Sequence, residues 1–232
     1  MSVSSFFIGL CGLGWIIAYI EALRLGFRDK SYGIPFITLA LNFTWEIYYT
    51  YQGYLVFGSH ISTYVNCFWV LLDAGILYTY LKYGYAEVSV SKTVFFAQAI
   101  AFLVVCFVIQ HFAFLYLGIV NGALYLGYLI NFLMSFLFVR MYFRRMDLKG
   151  QSLLIAIPKC IGTFSTTILF GIIGSKTAGG VHELILYMGL LIFFTDLTYI
   201  YLVSKKMKSL KAASLGGHKA QNHYVQKPIS PR

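Results

Sequence analysis

Uninterrupted apolar runs of about 18 to 22 residues recur along this chain, each long enough to cross a hydrocarbon core about 30 Å thick as an α-helix. Transmembrane strands need only about half that length and alternate apolar with polar residues. These runs are continuously apolar. Composition agrees with spanning helices: 59% of the residues are hydrophobic and 11% charged, with a mean hydropathy of +0.74. Soluble domains carry roughly 25% charged residues. The expected fold is all-α, a polytopic seven-transmembrane-helix bundle, with no room for a separate soluble domain.

The seven expected spans are 5–23, 34–51, 62–81, 93–117, 122–142, 152–174 and 184–203. Residues 1–203 then form the transmembrane domain, and 204–232 a basic, disordered tail. Pro35 opens the second span, where a missing N–H costs little, and Pro158 lies in the first turns of the sixth. Gly118, Asn121 and Gly122 leave only a tight turn between the fourth and fifth. No internal repeat is evident. The first span lacks a basic leader region and a cleavage site, so it is expected to be retained.

Lysines and arginines are distributed one-sidedly. Arg24, Arg28 and Lys30 follow the first span, Lys82 and Lys92 flank the third connection, and Arg140, Arg144, Arg145 and Lys149 surround the fifth. The tail adds Lys205, Lys206, Lys208 and Lys211, whereas the second and fourth connections hold none and the sixth only Lys176. The positive-inside rule places the amino terminus outside or in the lumen, and the tail in the cytoplasm. The net charge of +10 is thereby read as topology, not as a nucleic-acid footprint. Four cysteines, Cys11, Cys67, Cys106 and Cys160, are scattered without a CxxC or Cys/His cluster, so neither a zinc site nor a disulfide framework is supported.

Of eight acidic residues, Glu21, Asp29, Glu87, Asp147 and Glu183 fall in connections or near span ends and are expected to be solvated or interfacial, while Glu46, Asp73 and Asp196 sit well inside spans. Each interior carboxyl costs roughly 2.5–3.5 kcal/mol on insertion scales. Two readings account for that cost: a structural polar network between helices, or a polar cavity that does chemistry. Asn42 lies one turn before Glu46, with Tyr49 and Thr50 continuing its face and Trp45 adjacent. Asn66 and Trp69 share the side of Asp73; Phe193 and Tyr199 flank Asp196; Tyr125, Tyr128 and Asn131 form a further stripe. Helical rise places Glu46 about 18 Å from the basic end, Asp73 about 12–15 Å and Asp196 about 10 Å. Staggered acids suit a cavity better than a metal site, whose ligands must converge on one ion. A protonated carboxyl in an aromatic-lined apolar pocket can start and steer a carbocation. His60, His111 and His182 fall near span ends and are expected to be interfacial.

The run Asn42-Phe43-Thr44-Trp45-Glu46, following Lys30-Ser31-Tyr32-Gly33-Ile34-Pro35, resembles the N-x-x-W-E motif of small integral membrane terpene cyclases. These are the paspaline-type cyclases of fungal indole-diterpene and meroterpenoid pathways, with bacterial relatives. Phe68-Trp69-Val70-Leu71-Leu72-Asp73 looks like that family's W-x-x-x-D, Thr195-Asp196-Leu197-Thr198-Tyr199 like its D-x-x-Y, and Gly12-Leu13-Gly14-Trp15 is also similar. The resemblance covers about residues 5–205. It implies a cyclase that protonates an epoxide or terminal alkene of a prenylated substrate, with Glu46 and Asp196 catalytic. Asn42, Trp45, Tyr49, Trp69, Asp73 and Tyr199 are the candidate substrate-binding residues. The D-x-D-D and D-D-x-x-D signatures of soluble cyclases are absent, and the implied reaction needs no metal or other cofactor. The implied partners are a lipophilic prenylated small molecule and membrane lipids, with no nucleic acid and no obligate protein partner. The implied location is the endoplasmic reticulum in a eukaryote or the plasma membrane in a bacterium. A proton-coupled transporter is the alternative that the interior carboxylates leave open. A retinal-binding receptor would need a lysine in mid last span, where Asp196 stands instead. A purely structural membrane subunit is the remaining class.

Overall fold

Hydrocarbon offers the backbone no hydrogen-bond partner, so a spanning segment must satisfy its own N–H and C=O groups. The computed structural model, which describes residues 3–59, 61–145 and 147–225, is accordingly helical almost throughout. Its elements are α1 (Val3–Arg28), α2 (Phe36–Phe57), α3 (Ile61–Tyr83), a 3-10 turn at Gly84–Glu87, α4 (Lys92–Arg144), α5 (Leu153–Ile168) extended by a π-helical turn at Leu169–Ile173, and α6 (Glu183–Val225). Ser91 and Ser152 cap α4 and α5, each accepting a hydrogen bond at 3.3 Å, from the N–H of Val94 and of Ile155.

The expectation of seven separate helices is corrected to six among the described residues, because the fourth and fifth spans are one helical stretch. The interruption is a single residue, Gly118, with φ 71° and ψ 178°, a conformation that glycine reaches without a Cβ penalty. The two arms of α4 fold back on each other there. Gln110 donates to the carbonyl of Leu41 at 3.2 Å and Trp45 donates to that of Ala123 at 3.1 Å, so one stretch of α2 touches both arms. At the far end Phe95 packs on Tyr80 and Tyr85, while Arg144 returns to Glu87. No loop residues separate the arms. α6 runs past Val203, the expected end of the last span, to Val225.

Among the described residues, five helical stretches are long and apolar enough to cross a membrane: 3–28, 63–87, 92–144, 153–173 and 183–213. α2 is not among them; Asn42, Thr44, Glu46, Gln52 and four tyrosines dilute its apolar run. Large apolar side chains such as Leu13, Leu71, Phe136 and Phe194 face outward, while Glu46, Asp73, Gln110, Lys159 and Asp196 are buried. Polarity is thus turned inward, as in a multi-pass membrane protein. Helix neighbours close a ring: α1 against α3, α3 against α2, α2 against α4, α4 against α6, α6 against α5, and α5 against α1. The core inside it joins Trp15, Tyr19 and Leu25 of α1 to Ile76, Met134, Phe138, Ile155 and Tyr199.

The three basic connections meet at one end of the ring. Glu87 receives Arg145 at 2.7 Å, the Tyr32 hydroxyl at 3.0 Å, and Arg144. Burial pushes the Tyr32 phenol up, so it stays neutral and donates. Asp29 accepts from Arg28 at 2.5 Å and from the Gly150 N–H at 2.9 Å. Burial raises its carboxyl, but these bonds and the charges of Arg28 and Arg24 outweigh burial and hold it below its ordinary value. Glu21 was expected to be solvated or interfacial. It is instead buried, paired with Arg24 at 2.6 Å and bonded by Ser152 at 3.1 Å.

α1 and α5 approach closely at Gly14 and Gly162, where a Cβ on Gly14 would lie 2.5 Å from the carbonyl oxygen of Pro158. Gly14→Ala is therefore expected to destabilise the protein by about 1–3 kcal/mol through overpacking. Gly9→Ala, which meets nothing within 4 Å, is expected to be neutral or stabilising by about 0.5–1 kcal/mol from helix propensity. Thermal unfolding of both variants in detergent measures the contrast.

Candidate active site

Helical spacing puts Asn42 and Glu46 on one face of α2, one turn apart, and the ring of helices turns that face toward α1 and α3. The Asn42 amide nitrogen is the hub. It lies 2.9 Å from Glu46 Oε1, 2.9 Å from Asp73 Oδ2 and 2.7 Å from the Tyr19 hydroxyl. Tyr19 in turn donates to Glu46 Oε1 at 3.2 Å. Glu46 and Asp73 are 1% and 0% exposed. Their outer oxygens, Glu46 Oε2 and Asp73 Oδ1, have no hydrogen-bond partner among the described groups. The same holds for Trp69 Nε1 and for the hydroxyls of Tyr49 and Thr50. The inner oxygens are anchored, while the outer ones are buried without an anchor.

Asp196 belongs to a second polar group. Lys159 of α5 places its ammonium 2.8 Å from both Asp196 oxygens and 2.7 Å from Ser135 Oγ of α4. Between the two groups runs α1. The Trp15 ring lies 5.3 Å from the Tyr19 ring, and the Lys159 ammonium sits 5.8 Å from the Trp15 ring centre. A Trp15–Tyr19 pair one helical turn apart thus spans from Lys159–Asp196 to Glu46–Asp73.

The sequence-predicted residues divide accordingly. Asn42, Glu46 and Asp73 converge, which the estimated stagger of the acids did not anticipate. Trp45 packs at 5.6 Å from Tyr49, and its N–H is used by Ala123. Tyr199 is turned away from Glu46: its hydroxyl donates to Gln151 at 3.2 Å, and its ring lies 5.1 Å from Phe138. Tyr128 bonds Thr166 and Thr167 of α5 at 3.1 and 3.2 Å. Tyr125 bonds His182 at 2.9 Å and Tyr48 bonds His111 at 3.0 Å; His60 lies outside the described residues. Lys159 and Tyr19 were missed. Lys159 carried a signal, since it is an ionisable residue inside an apolar span and obeys the rule that singled out the acids. Tyr19 carried none, being one of 19 tyrosines. An open cleft of about 710 Å³ lies at the basic end, lined by Arg24, Arg28, Lys149, Gln151, Ile157 and Pro158 among others. None of its lining residues belongs to the Glu46–Asp73 group.

Comparison with known proteins decides the family. The family model for Pyr4-like transmembrane terpene cyclases matches residues 1–203. The chain belongs to this family. Among curated members it is similar to terpene cyclase ascF of Acremonium egyptiacum, 40% identical over 76 residues, which is 33% of this chain and 27% of that protein. It is likewise similar to the Pyr4-family terpene cyclase mfmH of Annulohypoxylon moriforme, 40% identical over 78 residues, 32% of this chain and 29% of the relative. Terpene cyclase subB of Metarhizium robertsii is 34% identical over 73 residues, 32% of this chain and 41% of subB. The aligned stretch therefore spans less than half the length of each of these curated relatives. No solved structure matches. In this family member the N-x-x-W-E run divides its labour: Asn42 and Glu46 face the polar group, and Trp45 holds the second arm of α4.

Asn42→Leu keeps the side-chain size and removes the amide donor. Leaving buried acceptors without it is expected to cost about 1–3 kcal/mol, read as a lowered thermal midpoint in detergent.

Proposed function

We propose that the chain is a membrane-embedded terpene cyclase. It protonates an epoxide or a terminal alkene of a prenylated substrate, of meroterpenoid or indole-terpenoid type, and steers the resulting carbocation through cyclisation. The observation that carries this reading is the Glu46–Asn42–Asp73 group, with two buried carboxyl oxygens left free in a member of this family. Two carboxyls drawn to one amide in a dry site do not both ionise, so the pair retains a proton. Asn42 and Tyr19 hold the inner oxygen of Glu46, which directs its acidic O–H outward.

Initiation breaks that O–H bond. For an epoxide, the proton goes to the ring oxygen, the C–O bond opens, and the π electrons of the chain form the first ring bond. For an alkene, the proton goes to the less substituted carbon of the terminal double bond, whose π pair becomes the new C–H bond and leaves a tertiary cation. Loss of a proton from carbon in the last step makes the product an isomer of the substrate. Trp45, Tyr49 and Trp69 present ring faces that stabilise positive charge by their quadrupole. Glu46 and Asp196 are both catalytic in this reading, and Asp73 supports Glu46. The greasy substrate enters from the bilayer, in the endoplasmic reticulum of a eukaryote or the plasma membrane of a bacterium. The basic end and α6 beyond Val203 face the cytoplasm by the positive-inside rule, and the amino terminus faces the other side.

Microsomes or purified protein are expected to convert an epoxidised or plain prenyl quinol, indole or polyketide into a cyclic isomer of equal mass. Glu46→Gln is expected to lower substrate consumption by about 100- to 10,000-fold, the range of general-acid contributions. Chromatography with mass detection reads both. Full turnover by folded Glu46→Gln protein refutes the acid assignment. Solute flux across proteoliposomes with no isomer formed refutes the cyclase.

A further inference from the structure

Lys159 has no role in the reading above, yet its buried ammonium is fully engaged. An ammonium has three N–H donors and no lone pair. All three donors are spent, one on Ser135 and two on the separate oxygens of Asp196. An oxygen that faces an ammonium at 2.8 Å cannot place its own hydrogen along that line, because nothing there accepts it. Both oxygens of Asp196 are in that position. Both outer oxygens of the Glu46–Asp73 group are not. Of the two polar groups, one is built to carry a proton outward and the other to lack one.

We propose that Lys159 is a positioning residue that keeps Asp196 a carboxylate, which makes Asp196 the base that ends the cyclisation rather than an acid that starts it. This rests on the cyclase reading and refines it. In the final step a C–H bond beside the last cationic carbon breaks. Its electron pair becomes the new C=C bond, and the proton passes to an Asp196 oxygen. Such a C–H is acidic enough for a carboxylate already engaged by an ammonium to take it. Glu46 supplies one proton and Asp196 receives one, so substrate and product stay isomers. Water then removes the proton from Asp196 and another returns to Glu46. Trp15, between the groups and under the ammonium, lies along the path from the acid to the base.

Two measurements test this. The first is the infrared difference spectrum between the native protein and Asp196→Asn at neutral pH, which needs no substrate. Loss of a carboxylate band is expected, and Lys159→Met is expected to convert that band into a protonated carboxyl band. Loss of a protonated carboxyl band in Asp196→Asn overturns the proposal. The second is product partition. Asp196→Asn leaves a buried lysine unpaired, so the neutral pair Lys159→Met/Asp196→Asn is measured beside it to separate folding from chemistry. The folded double variant is expected still to consume substrate, while its ratio of finished to water-trapped or partly cyclised product falls by roughly 100-fold. A folded double variant with the native product ratio, or one as inert as Glu46→Gln, overturns the base role. Native protein that cyclises nothing sinks the cyclase reading and the base role together, while the infrared result still decides whether Lys159 keeps Asp196 charged.

Discussion

A carboxylate or an ammonium in hydrocarbon has no water to fall back on, and the interior of this bundle is organised around that constraint. The Lys159–Asp196 pair answers it by closing every ammonium donor within the protein. Removing either partner alone leaves an unpaired buried charge, the costly case for such pairs. The Asn42 group answers it differently, with one amide reaching two carboxyls and a phenol and two carboxyl oxygens left over. A bundle selected for stability alone has no reason to leave them. The contrast between a closed polar group and an open one links the packing of the helices to the chemistry.

Close helix approach makes this arrangement possible. Gly14 of α1 sits against Pro158 and Gly162 of α5 with no room for a side chain. Small residues let membrane helices pack at short range, where van der Waals contact substitutes for the missing hydrophobic drive. Here that contact sets α1 so that Trp15 meets Lys159 and Tyr19 meets Glu46. The Gly118 reversal does comparable work on the other side of the ring, bringing both arms of α4 onto α2. At the basic end, Glu87 and Asp29 tie three connections together, so the positive charges gathered there also brace the helix ends.

Much of this was legible in the sequence, and the failures have physical causes. Spanning helices follow from length and hydropathy because a lipid-exposed backbone has almost no other option. Six helices replaced seven because one glycine with positive φ reverses the chain without a loop, a difference of a single pair of dihedral angles. Glu46, Asp73 and Asp196 stood out because an interior acid is expensive. Their grouping did not follow, since depth along separate helices says little about rotation and tilt. Lys159 was overlooked when lysines were weighed only in connections, although its cost in the bilayer is of the same kind.

The sequence by itself determined that the chain is helical and membrane-spanning, which end collects positive charge, and which carboxyls are costly enough to need a reason. The N-x-x-W-E run also carried the family. Only the tertiary structure decided which acids meet. Asn42 joins Glu46 to Asp73, and Lys159 claims Asp196, because hydrogen bonds form between side chains 23 to 37 positions apart wherever helix packing brings them within 3 Å. Hydropathy is a property of each residue and can be read along the chain. A partner is a property of two, and the fold selects it.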